Sequence, residues 1–173
     1  SRDPSDYSNL DGAMIEGFAE WGGGSMFDVS DWVLQMDRIL GLTGAGKILI
    51  AQTYTTSPGE RMFVLGSYLL IKGSRTYLNL NDSEANPDMR PEWYPEYGID
   101  LGAPLAALPA EISAFFDAGP GVYVRHFADG DVYVNPGDAA RTVNLETAGR
   151  QVLPSGGGLV PECAGVPRHA RGR

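Results

Sequence analysis

Glu16 is the residue from which chemistry can be read most directly. It lies in Asp11-Gly12-Ala13-Met14-Ile15-Glu16-Gly17-Phe18-Ala19-Glu20-Trp21, a short apolar run between carboxylates that breaks into Gly22-Gly23-Gly24. Such a run reads as a buried strand delivering an acid to its carboxyl end. Open α/β sheets and α/β barrels place ligands at that end, so a carboxylate there is positioned for acid/base or nucleophilic work. The same position also suits an acid that caps the next helix or stays in water.

Two further strand ends reach the same zone. Lys47 to Tyr54 is a nearly continuous apolar run that turns polar at its last residues, the form of a parallel strand covered on both faces, and it places Gln52 and Tyr54 beside Glu16. Arg75 to Leu80 is a third strand, with Asn79 and then Asn81 at its carboxyl end.

The connecting elements follow from capping and periodicity. Phe27 to Leu40 begins with capping residue types and carries Val29, Val33, Met36 and Leu40 near helical spacing, which predicts an amphipathic helix ending near Gly41. Ser57-Pro58-Gly59-Glu60 opens a second helix that runs to Ile71 and stops at Lys72-Gly73; apolar residues go almost all the way round it, so neighbours must bury it. Strand, helix, strand, helix, strand gives two right-handed βαβ crossovers in a parallel sheet.

After Asp82 comes a long segment rich in Pro and aromatic residues, including Glu92-Trp93-Tyr94-Pro95-Glu96-Tyr97. Trp93 and Tyr94 can offer flat faces to a sugar or pin the loop onto the rim. From Gly121 the pattern alternates: Val122 to Phe127, a turn at Ala128-Asp129-Gly130, then Asp131 to Pro136, a strong hairpin signal. Arg141 to Leu145 is expected to add an antiparallel strand and Gln151 to Pro154 one more, with a flexible tail over 161–173.

Composition narrows the partners. The 173 residues, 43% hydrophobic and 20% charged, suit one globular domain or part of one. A formal net charge of -9 opposes nucleic acid and anionic lipid, despite the basic residues between Arg168 and Arg173. A lone Cys163 with His126 and His169 argues against a disulfide or a Cys/His metal site, and no run approaches the roughly 20 apolar residues of a membrane helix. Neither the dinucleotide fingerprint nor a phosphate-binding loop follows a strand, so no cofactor is expected. The chain opens on Ser1-Arg2-Asp3 with neither an initiator methionine nor a basic-then-apolar stretch, and secretion is expected only if a signal peptide lies upstream.

Asp-Gly-x-x-x-Glu-Gly-Phe at 11 to 18, the Lys47 to Tyr54 strand, Tyr68-Leu69-Leu70 and the hairpin Arg125-x-Phe127-x-x-Gly130-x-Val132-x-Val134-Asn135-Pro136 occur in a recognisable order. Together they resemble the C-terminal half of (β/α)8-barrel glycoside hydrolases of the hypothetical glycosyl hydrolase type, over roughly residues 9 to 160. The resemblance implies an α/β fold: a partial (β/α)8 (TIM) barrel, C-terminal half, over 1–118, followed by a small antiparallel β-region at 119–160. It implies hydrolysis of an oligo- or polysaccharide with Glu16 catalytic, and with Glu20, Trp21, Gln52, Tyr54, Asn79, Trp93 and Tyr94 as sugar contacts. A second carboxylate, about 5 Å away for retention or about 6.5–9.5 Å for inversion, would come from earlier strands. A full barrel needs about 250 residues, so the resemblance leads us to expect a fragment of a larger enzyme whose open sheet edge invites association. The alternative is a non-catalytic carbohydrate-binding or interaction module using the Trp21, Trp93, Tyr94 and Tyr97 surface.

Overall fold

The computed structural model describes residues 7–21, 24–81, 86, 88–145 and 148–161. Three parallel strands, β1 (Gly12–Glu16), β2 (Ile48–Tyr54) and β3 (Thr76–Asn81), pair in the order β1-β2-β3. Helices α1 (Val29–Gly44) and α2 (Pro58–Ile71) make the two crossovers. Glu16 pairs in register with Gln52, and Gln52 with Asn79.

Each helix starts where its cap dictates. Asp28 accepts from the Asp31 amide at 2.9 Å and opens α1. The buried stripe is Trp32, Met36, Ile39 and Leu40, while Val29 is exposed, so the apolar face is turned from the one the valines suggest. Trp32 sets that face: its ring is fully enclosed and its Nε1 donates to Ser67 Oγ on α2 at 3.1 Å. The helix runs through Gly41 to Gly44, and the left-handed residue that turns the chain is Gly46, φ +77°. Ser57 caps α2, accepting from the Glu60 amide, while the Glu60 carboxylate reaches back to the Thr56 amide at 2.7 Å.

Both crossovers pack on one face of the sheet. Leu49, Ala51 and Leu80 point into a core shared with Trp32, Met36, Val64, Leu70 and Ile71. The expectation that β2 is covered on both faces is corrected: by strand alternation Met14, Ile48, Ile50 and Tyr77 occupy the other face, where Met14 is 56% and Tyr77 54% exposed. Among the described residues nothing packs over them.

A second, antiparallel sheet has the order β5-β6-β7, from Phe116–Asp117, Val122–His126 and Asp131–Val134. The predicted hairpin is its β6-β7 part, and it lies against α2. The approach is close at Gly66, where a Cβ would stand 3.1 Å from Val134 Cγ2. Arg125 fixes the end of α2, its Nη1 donating to the carbonyls of Leu69, Leu70 and Lys72 at 2.8, 3.1 and 2.9 Å. Tyr123, Phe127, Val132 and Val134 therefore join the same core as the parallel sheet.

The expected strands at 141–145 and 151–154 do not form. Instead β4 (Glu92–Trp93) pairs antiparallel with β8 (Gly158–Leu159). Gly157 permits this: at φ +91° it passes so close to Tyr94 that a Cβ would lie 2.5 Å from Cδ1. Beyond Pro161 the expected flexible tail lies outside the described residues. No helix among those residues is long and apolar enough to cross a membrane.

Candidate active site

Three strand ends converge through their side chains. Asn79 Nδ2 donates to Gln52 Oε1 at 3.1 Å, Gln52 Nε2 to the Tyr54 hydroxyl at 3.2 Å, and that hydroxyl to Glu16 Oε1 at 3.1 Å. All four residues lie on the sheet face that the helices leave open, at its carboxyl end. Register explains why: Glu16, Gln52 and Asn79 are lateral neighbours, and Tyr54 follows Gln52 by one full pleat. Burial first, then the Glu16 carboxylate it serves, raises the Tyr54 pKa, so the phenol stays a donor at neutral pH. Glu16 is thus exposed, oriented through one oxygen, and free to present the other.

The loop after β1 behaves differently from its strand. Phe18 and Ala19 are fully buried, and Gln35 of α1 holds the loop from both sides, accepting from the Ala19 amide at 2.8 Å and donating to the Gly17 carbonyl at 3.0 Å. Ala19 adopts φ +62°, a conformation L-residues avoid, which this clamp sustains. The chain therefore dives inward, and Glu20 is carried with it to 0% exposure with neither carboxyl oxygen hydrogen-bonded among the described residues. Burial, with a smaller contribution from the charge of Glu60, pushes the Glu20 pKa up to about 7. Trp21 emerges again, more than half exposed, edge-on to Phe27 at 4.5 Å between centroids.

The aromatic loop is fastened to α2 by a buried ion pair that sequence reading did not select. Arg61 Nε donates to Glu96 Oε1 at 2.7 Å, and the guanidinium lies over the Tyr94 ring, 3.8 Å from its centroid. Tyr94 is buried there, its hydroxyl donating to Glu92 Oε2 at 2.8 Å. Trp93 stands outside, more than half exposed and edge-on to Tyr97 at 5.7 Å. Beside Arg61 a cavity of about 260 Å³ opens between the β2–α2 loop, Tyr94 and the Pro154–Gly156 segment.

Glu16, Gln52, Tyr54 and Asn79 thus form one hydrogen-bonded group; Glu20 sits in the interior, and Trp21, Trp93 and Tyr94 belong to separate contacts. Glu60, legible in the sequence as part of the start of α2, shapes the site, as do Gln35, Arg61 and Glu96, which sequence reading passed over. Their only local signals are polar residues placed within otherwise apolar helical or aromatic runs.

An acid at a parallel strand end, supported by amide and phenol donors, is an arrangement able to do acid/base or nucleophilic chemistry in an α/β protein. The chain belongs to hypothetical glycosyl hydrolase family 15, which it matches over residues 2–131. No curated protein and no solved structure matches it.

Proposed function

We propose that the chain forms the carboxyl-terminal strand–helix units of a (β/α)8-barrel glycoside hydrolase, with Glu16 as a catalytic carboxylate on a glycan substrate. The observation carrying this reading is the hydrogen-bonded row from Asn79 through Gln52 and Tyr54 to Glu16. The sheet supports it as well, since consecutive parallel strands with both helices on one face leave the inward face of a barrel open.

In this reading Tyr54 orients the Glu16 carboxylate, and its unbonded oxygen meets the sugar as nucleophile or as acid/base. Gln52 and Asn79 hold Tyr54 in place and border the space a sugar ring would occupy. The partner acid stands on another strand end, at a separation that fixes retention or inversion. Release of reducing ends from a glycan panel, by a protein containing this chain, tests the reading. Glu16→Gln should abolish release while the unfolding midpoint stays put; full activity in that variant refutes it.

The exposure of Trp21 and Trp93 favours a second reading, a non-catalytic carbohydrate-binding surface. Glycan binding without cleavage, lost in Trp93→Ala, would establish it in place of the first.

A further inference from the structure

We infer that the cavity beside Arg61 is a subsite for a single carboxylate-bearing sugar residue, a uronic acid unit of the glycan. This rests on the carbohydrate reading above and refines it.

Its volume, about 260 Å³, lies below the usual range for drug-sized ligands and suits one ring. Its polar wall has two corners of opposite character. Arg61, only 8% exposed, lines the cavity with its guanidinium already immobilised: Nε is taken by Glu96 and one face lies on Tyr94. Its two Nη atoms make no hydrogen bond among the described residues. A planar fork whose orientation is set in advance matches a carboxylate end-on, through two charge-assisted bonds.

The opposite corner accepts. Thr56 Oγ1 spends its proton on the Glu60 carboxylate, at 3.0 Å to each oxygen, and so offers lone pairs. Thr55, 4% exposed, also lines the cavity, and its hydroxyl has no partner among the described residues. Ring hydroxyls would donate to Thr56 and exchange hydrogen bonds with Thr55, while the carboxylate meets Arg61. Glu96 offsets the charge of Arg61, so selectivity comes from bond geometry more than from net field.

Amide shifts in an NMR titration of the chain test this, using methyl glucuronoside and methyl galacturonoside against the neutral methyl glucoside and galactoside. Shifts at Thr55, Thr56, Ser57 and Arg61 should saturate at a concentration at least about tenfold lower for one of the acidic glycosides than for its neutral counterpart, one lost charged pair being worth about that much. Equal saturation by the neutral sugars, no shift with any, or acetate binding as tightly as the acidic glycosides overturns the assignment. Arg61→Lys keeps the charge but loses the fork and should erase the preference; retention of the preference in that variant also overturns it. If the variant does not fold, the wild-type comparison decides alone. The readout is binding, so a failure here leaves the role of Glu16 untouched, and loss of that role leaves this test standing.

Discussion

Glu20→Gln should make the protein more stable, and only at the upper end of the pH range. The wild-type carboxyl is fully enclosed, with neither oxygen bonded among the described residues, and burial followed by Glu60 moves its pKa from 4.5 to about 7. The folded state therefore binds this proton more tightly than the unfolded chain. Stability from the group is fully present below pH 4.5 and is lost as pH rises toward about 7, after which it levels off. At about 1.4 kcal/mol per pH unit, the full loss is about 3 kcal/mol. Glutamine keeps the shape and removes the titration. In urea melts followed by circular dichroism, the midpoint difference between variant and wild type should grow by about 1–2 M from pH 4 to pH 8. A constant offset between the two proteins is compatible with the exchange of acid for amide. Parallel curves with no growth would show that the Glu20 carboxyl ionises as it does in water.

Two packing contacts can be tested in the same melts. Arg125→Met leaves three carbonyls at the end of α2 without their donor, and should cost about 3 kcal/mol, read as a lower urea midpoint at pH 7. Gly66→Leu should cost about 1–3 kcal/mol through the clash with Val134, whereas Gly66→Ala should stay near neutral because its gain in helix propensity offsets a contact of 3.1 Å.

Much of this fold is legible in the residues because its signals are local. The three parallel strands, the two capped helices and the Asp129-Gly130 hairpin each carry their own periodicity and punctuation, and appear within a few residues of the expected bounds. The grouping of Glu16 with Gln52, Tyr54 and Asn79 follows from strand ends alone, since lateral neighbours in register must meet. What stays hidden depends on distant partners. Arg141 to Leu145 has strand-like alternation but no strand to pair with among the described residues, and Arg141 instead lies over Gly121. Gln151 to Pro154 forms no ladder and instead borders one cavity with Met62, Phe63 and Tyr133. The two-residue pairing of Trp93 with Gly158 is too short to leave a pattern. The inward dive of Glu20 depends on Gln35, 15 residues later in the sequence, and the Arg61–Glu96 pair joins residues 35 apart. No window of sequence contains both members of such contacts.

The catalytic role of Glu16 is tested most directly by the turnover of an aryl glycoside by Glu16→Ala, with and without azide, in a protein containing this chain. Loss of the carboxylate should lower kcat/KM by about 10²–10⁴-fold, and azide, filling the space it leaves, should restore part of the rate. Wild-type turnover in Glu16→Ala, with azide making no difference, would contradict it.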